Sequence, residues 1–484
     1  MSTVFIGYLL IVIALAGYFS SKVKNKSDFV IGGRKIPGIA LALSERAAGE
    51  SSWLLLGLTG HAFVEGYGAI WVALGCVIGI LFIWWVMAEP LRRVSQELSA
   101  TTIPGILSAR YPKQKNAIQI LSALIIFFFF LFYIAAQFNG AGKVLNIAFG
   151  TDENTGTIIS AIVILLYTML GGFMSVVAVD VFQAILMIFT IIVLPIIATI
   201  FLASHHINLT AVMSTAPPEI STFTHGKEGL AGFLFILSGM SWALGYTGQP
   251  HLLARMIAMK DRKNVVQARW VATFWTLIAY TGILITGYAG YAFVREGLFS
   301  DSEIKLVLHD AEKILPLMVN FLVTPFMVGL LLSGAVSAMM STAASQLMVC
   351  SFNISEDLLP LISQKRKKTN LWILRLIIIM VAIIAYFSGV YMVDTVYGLV
   401  SYAWSGIGSS FGPGLLLFLF WKKFNGAGVI ASLISGTITT FVWKMFFYPT
   451  TGISERLVSF IATLLIAYVV SLIAHNRSKT TPHT

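Results

Sequence analysis

The sequence predicts an all-α, polytopic membrane protein of about 13 transmembrane helices built on a five-plus-five inverted repeat, amino terminus outside and carboxyl terminus inside. Three observations carry this. Hydrophobic residues make up 57% of the chain and charged residues 11%, with a mean hydropathy of +0.85, far from the balance of a soluble globular protein. Apolar runs of spanning length recur along the chain, separated by short basic clusters. The second of these runs is interrupted by Ser44-Glu45-Arg46-Ala47-Ala48-Gly49-Glu50-Ser51-Ser52, and a softer interruption falls in the seventh.

The first span, about 4–20, lacks the basic n-region and small-residue cleavage site of a signal peptide and reads as a retained helix. Lys22, Lys24, Lys26, Arg34 and Lys35 follow it. The second, about 37–63, holds the charged break. Neither apolar flank alone reaches the roughly 17–25 residues needed to span, whereas the two together do. Three charged side chains facing lipid would cost about 2.5–3.5 kcal/mol each. A discontinuous helix lining an internal polar cavity avoids that cost, because broken backbone is tolerated at membrane depth where protein or water covers it.

Span three runs about 69–88 and ends at Arg92 and Arg93. An amphipathic segment, 89–115, carries Arg110, Lys113 and Lys115. Spans four and five cover about 116–137 and 156–171, and Gly171-Gly172 turns into the sixth, about 173–203. After a loop at 205–229, the seventh span, about 230–249, is interrupted between Ser238 and Gly248 and followed by Arg255, Lys260, Arg262 and Lys263. The eighth covers about 265–294. The long ninth, about 316–352, is followed by Lys365-Arg366-Lys367-Lys368. Spans ten to thirteen fall near 371–389, 394–420, 426–447 and 457–474.

The formal charge of +11 invites a nucleic-acid reading, but the basic residues sit between apolar spans. One alternating set of loops holds roughly 22 lysines and arginines and the other about six, so the richer set is cytoplasmic and no nucleic-acid partner is expected. Cys76 and Cys350 both lie in apolar runs and imply no disulfide framework. The two broken spans lie five apart, so the second set of five spans enters from the opposite face. The expected organisation is a first helix and cytoplasmic loop (1–36), a first repeat half (37–203), an extracellular loop (204–229), a second half (230–420), and two closing spans with a short cytoplasmic tail (421–484).

Four features hold residues that could carry chemistry. Ser337, Ser341 and Ser345 share one face of the ninth span, with Thr342 beside them. Two readings stand for that face: close helix packing by small residues, or neutral oxygens for a hard monovalent cation. Asp180 is either an acid favoured by the start of a helix or an ion ligand. Trp242 and Tyr246, four apart, either pack or face a solute. Glu45, Arg46 and Glu50 either neutralise one another or touch substrate.

Ile31-Gly32-Gly33-Arg34, Trp53-Leu54-Leu55-Leu56-Gly57-Leu58, Trp242 through His251, and Met339-Met340-Ser341-Thr342 continuing to Gln346-Leu347 together resemble the sodium:solute symporter family, its sodium/proline branch in particular. The resemblance covers nearly the whole chain and implies an amino-acid/sodium symporter-like core. It implies a sodium (Na+) site from the carbonyls of Ala47, Glu50 and Ala338 and the hydroxyls of Ser341 and Thr342. The implied solute cavity draws on Ser51, Gly57, Tyr133, Trp242, Tyr246 and Pro250, with Arg34 near an inner gate. Some members hold a second sodium, and Asp180, Ser341 and Ser345 fit that pattern, although Ala344 lacks one of its hydroxyls. Two departures bear on the solute. The branch has an aspartate where this chain has Gly49, with Glu50 one residue later, and small neutral residues where this chain has Glu45 and Arg46.

The expected partners are a small-molecule solute, sodium and the lipid bilayer of the cell membrane. Proline or a related amino acid leads as solute. A monocarboxylate, pantothenate, a sugar or sialic acid would replace it in other members, and a proton-coupled carrier would use Glu50 or Asp180 as its relay. A channel would need a filter motif that is not visible. No HExxH or Walker A motif argues for an enzyme.

Overall fold

The computed structural model describes residues 1–23, 26–359, 371–391 and 394–480, and these are helical almost throughout, with no β-strand among them. Twelve helical stretches among the described residues are long and apolar enough to cross a membrane. The run Gly38–Glu97 contains 60 residues, about 90 Å of straight helix, or three hydrocarbon thicknesses. It bends back at Gly66, where φ is +55°. A Cβ there would lie 2.1 Å from the Ile220 carbonyl oxygen, so the turn requires glycine. The stretches read from sequence as spans two and three are therefore joined in one helical run.

Three boundaries differ from the sequence reading. The fourth helix, Lys115–Phe149, is 35 residues long and continues through Gln137, Asn139, Gly140, Gly142 and Lys143. Those residues dilute its apolar signal, but they face neighbours: Gln137 accepts the Ser52 N–H (2.9 Å), and a Cβ at Gly142 would meet Thr157 Oγ1 at 2.3 Å. The ninth span begins later, since helix Ile314–Leu322 ends and Pro325 opens helix Pro325–Phe352. Proline fits a first turn because its missing N–H has no partner to lose there. The last helix, Glu455–Thr480, runs past the expected end of the thirteenth span near 474 and takes in Arg477 and Lys479. The loop at 295–315 contains helix Asp301–His309, opened by a Ser300/Glu303 capping box. Lys24 and Lys365 to Lys368 lie outside the described residues.

Helix Pro325–Phe352 forms the centre: 83% of its apolar stretch is buried, against 22% for Ser2–Ser20. It packs on Gly38–Ser52 and on the long helix Glu153–Ser204, which is kinked at Gly172 (φ 62°, ψ −158°). Lipid gives no hydrophobic reason for helices to associate, so close approach must supply the attraction. A Cβ at Gly334 would lie 2.2 Å from Thr190 Oγ1. Thr190 in turn donates to the Leu331 carbonyl at 2.9 Å.

Candidate ion and solute site

The second span breaks at Ser51, which sits at φ 53°, ψ −175°. Glycine alone adopts that region without strain, and a side chain there costs about 1–3 kcal/mol. Neighbouring groups hold it in place. Ser51 Oγ accepts the Trp53 N–H at 3.0 Å, and Tyr133 reaches the same oxygen at 3.5 Å. The Ser52 N–H, the helical partner of the Ala48 carbonyl, turns instead to Gln137.

The carbonyl thus released meets the central helix. Thr342 Oγ1 donates to Ala48 O and to Ala338 O, both at 2.9 Å. Ser341 Oγ donates to Ala47 O at 2.8 Å and to Ala338 O at 3.1 Å. Four of the five groups implied for sodium are therefore together: the carbonyls of Ala47 and Ala338 and both hydroxyls. The fifth, the Glu50 carbonyl, accepts the Trp53 N–H, and the Ala48 carbonyl also faces Thr342. Ser333 bonds its own helix and Ser337 donates to Tyr8 OH (3.0 Å), so those two pack.

Glu45, Arg46 and Glu50 form one cluster with 0% side-chain exposure. Arg46 Nε donates to Glu45 Oε2 (2.6 Å), its Nη2 to Glu45 Oε1, and its Nη1 to Glu50 Oε1 (3.1 Å). Trp84 Nε1 donates to Glu45 Oε2 at 2.9 Å. The guanidinium is thus held between two carboxylates of its own helix, the arrangement a buried charge needs to survive desolvation.

Asp180 lies eight residues beyond the Gly172 kink, past the first turn where a helix dipole would account for it. Ser44 Oγ donates to its Oδ2 at 2.5 Å, and Arg255 Nη2 does so at 3.1 Å. The same Nη2 donates to Ser345 Oγ at 2.5 Å. Arg255, counted from sequence among loop cations, is 1% exposed and opens inward from helix Pro250–Ile257.

Aromatic residues from five helical segments close around the break. Trp53 and Trp242 have ring centroids 4.4 Å apart, Tyr246 and Trp404 4.7 Å, and Tyr133 and Trp404 6.2 Å. Tyr246 OH lies 2.9 Å from Tyr280 OH. Gly57 lines a cavity of about 690 Å³ on one side of this cage, together with His61, Glu312 and Tyr397. His61 and Tyr397 stack at 4.6 Å and also line a second cavity, of about 270 Å³, with Arg456. Pro250 is not part of the cage lining toward Gly57. It borders a slot of about 30 Å³ with Thr101, Pro104, Arg255, Ser345 and Asn353. Arg34 Nη2 donates to Ser95 Oγ at 2.7 Å, tying the loop before the broken helix to helix Ala88–Glu97.

Sequence reasoning missed Arg255, Trp404, Tyr397 and Ala48. Arg255 carried a signal, since it is four residues after His251, inside the apolar phase of its helix and before the true loop cations. Trp404 sits among Gly406, Gly408 and Gly412, a pattern of close backbone approach: a Cβ at Gly408 would lie 2.6 Å from Gly245 Cα. Nothing in the sequence distinguishes Ala48 from Ala47.

Residues 29–436 match the sodium:solute symporter family. The osmoregulated proline transporter OpuE of Bacillus subtilis (strain 168) is 31% identical over 476 residues, covering 98% of this chain and 94% of its own. The sodium/proline symporter of Escherichia coli (strain K12) is 33% identical over 453 residues, covering 93% and 88%. The fold is that of a Na+-coupled sialic acid symporter solved in a substrate-bound outward-open state, with a TM-score of 0.73 at 16% identity over 98% of this chain and 97% of that one. A broken helix, two hydroxyls aimed at its carbonyls, and a family match across most of the chain lead to one assignment: the chain belongs to the sodium:solute symporter family.

Proposed function

We propose that this protein is a sodium-coupled symporter that imports proline across the cell membrane by alternating access. The observation that carries this is the convergence of Ser341 and Thr342 on the carbonyls of Ala47 and Ala48 at the Ser51 break, beside an aromatic cage. Neutral oxygens at that spacing suit a hard monovalent cation, which would replace the hydroxyl-to-carbonyl hydrogen bonds with direct ligation. Sodium is cargo here, and the protein is a transporter rather than an enzyme. The names of the relatives supply proline as the solute.

The remaining architecture belongs to the same proposal. The 60-residue run Gly38–Glu97 counts as two spans, giving thirteen. Residues 37–203 and 230–420 form the two inverted halves, the first broken at Ser51 and the second interrupted between Ser238 and Gly248, and Trp53 and Trp242 from the two interrupted spans meet at 4.4 Å. The loops at 204–229 and 295–315 are extracellular. With that orientation, the cavities of about 690 and 270 Å³ open outward and the 30 Å³ slot points inward, an outward-facing state.

Reconstituted protein should accumulate radiolabelled proline uphill under an inward sodium gradient. A potassium gradient or a proton gradient of equal size should not support accumulation. Competition by other amino acids, short acids and sugars reads the solute, and equal uptake under a proton gradient alone overturns the sodium assignment.

A further inference from the structure

Helix Glu455–Thr480 lies outside both proposed repeat halves, yet its first turn reaches the aromatic cage. Its start is pinned to the interrupted seventh span: the Ser454 N–H donates to Ser238 Oγ (3.2 Å) and Arg456 Nε to Ser241 Oγ (3.4 Å). The Arg456 guanidinium lies over the Trp242 ring, 4.3 Å from its centroid, and its Nη1 donates to Ser401 Oγ of helix Val396–Phe420. Arg456 is 7% exposed and lines the cavity of about 270 Å³. A guanidinium carries five N–H donors in a fixed fork. Nε and Nη1 each commit one here, and Nη2 makes no hydrogen bond among the described residues. The counter-charge is loose, since Glu455 Oε1 stands 3.8 Å from Nη1 and already accepts the Ser405 hydroxyl at 2.8 Å. Lys227 and Lys444 line the same cavity, over the Phe235 and Tyr448 rings at 4.9 and 4.4 Å. Neither lysine pairs with a carboxylate among the described residues. Three cations set against Glu65 and Glu455 leave the lining with one net positive charge. Such a wall attracts a monoanion and can bind it by charge-assisted hydrogen bonds.

We infer that this cavity is a carboxylate subsite, in which Arg456 takes the carboxylate of the incoming solute with the guanidinium donors its neighbours leave free. This rests on the outward-facing symporter reading above and names what that face recognises: a solute with a free carboxylate. Arginine suits the position better than lysine would, because a planar guanidinium can lie on the Trp242 face and still present N–H groups at its edge. A carboxylate held there sits one ring away from the broken second span, since Trp242 in turn meets Trp53 at 4.4 Å. The last helix thus supplies to the solute path a charge that neither repeat half supplies at this cavity. A purely structural Arg456, tying the last helix to the seventh span, would use Nε and Nη1 alone.

The experiment measures equilibrium binding of labelled proline to the purified protein at saturating sodium, with unlabelled proline and prolinamide as competitors. Prolinamide keeps the ring and its amine but lacks the carboxylate. Wild type should prefer proline. Arg456→Gln should lower the prolinamide-to-proline ratio of half-inhibition concentrations about tenfold, the effect of one charge-assisted contact in a hydrated cavity. A folded Arg456→Gln protein with the wild-type ratio overturns the inference. If Arg456→Gln is lost from the membrane, the neutral pair Glu455→Gln/Arg456→Gln is held to the same criterion. Loss of both variants assigns the guanidinium to holding the helix and overturns the inference as well. Exchanging chloride for gluconate should leave proline binding unchanged. Chloride competition that disappears in Arg456→Gln gives the cavity to an inorganic anion and overturns the carboxylate assignment. Proline uptake by wild type without sodium is a different result: it defeats the symporter reading, and the prolinamide comparison still judges Arg456.

Discussion

Replacing Arg46 by alanine tests what the charged break is for. The substitution removes the donors to Glu45 at 2.6 Å and to Glu50 at 3.1 Å, and a weaker contact to Thr276 at 3.5 Å. Among the described residues Glu45 keeps the Trp84 N–H alone, and both carboxylates sit at positions with 0% exposure in the native protein. Leaving buried charge uncompensated costs about 3–5 kcal/mol, roughly a 150- to 5,000-fold loss in the ratio of folded to unfolded protein. Against a typical total stability of about 5–15 kcal/mol, that is a third or more. Arg46→Ala should therefore lose folded protein in the membrane, measured by abundance and by thermal unfolding in detergent. Any residual uptake should fall at every solute concentration. The triple change Glu45→Gln/Arg46→Met/Glu50→Gln removes the charges together and should restore folded protein, because a buried ion cluster can be replaced by neutral groups at small cost. A well-folded Arg46→Ala protein with near-normal maximal uptake and a half-saturation constant raised some tens-fold would refute this reasoning. It would assign the guanidinium to a solute carboxylate, whose charge-assisted hydrogen bond contributes about 1.5–3 kcal/mol.

Three further outcomes are expected. Thr342→Ala and Ser341→Ala should raise the sodium concentration for half-maximal uptake while leaving membrane abundance close to wild type, and an unchanged sodium dependence in both would remove them from the ion site. Gly245→Ala should lower thermal stability by about 1–3 kcal/mol, since its Cβ would sit 2.0 Å from Trp404 Nε1, and a wild-type unfolding temperature would show that the cage can yield. Cysteines placed in 295–315 and 355–370 should react with impermeant reagents from opposite sides, the second only once the cytoplasm is opened. Labelling of both from outside breaks the proposed topology.

Much of the fold was legible from the sequence because a bilayer imposes a single strong rule: backbone must be satisfied within each span, so apolar length marks helices. That rule located the broken helix, since Glu45, Arg46 and Glu50 have no place in lipid, and it located the Gly171-Gly172 kink. It failed where polar residues serve a neighbour rather than a loop. Gln137 and Lys143 shortened the expected fourth helix, yet Gln137 holds the Ser52 N–H and Lys143 pairs with Glu312 at 2.6 Å. Family resemblance named Ser341 and Thr342, but that Thr342 meets the Ala48 carbonyl was decided by the backbone. Once Ser51 enters the left-handed region, the Ser52 N–H leaves Ala48 free, while the Trp53 N–H takes Glu50.

Arg255 shows the same limit for charge. Hydropathy and loop counting record that a cation exists at that position, and both put it at the end of a span beside Lys260, Arg262 and Lys263. Whether it reaches solvent depends on what stands opposite. Asp180, Ser44 and Ser345 come from three other helices, 75, 211 and 90 residues away in sequence. The sequence by itself marked which stretches are long and apolar enough to cross a membrane and that the second carries a charged break, because those are properties of a single segment in lipid. Only the tertiary structure decided which oxygens face one another and which charges are paired, because a hydrogen bond or an ion pair depends on distances between segments that no local pattern encodes.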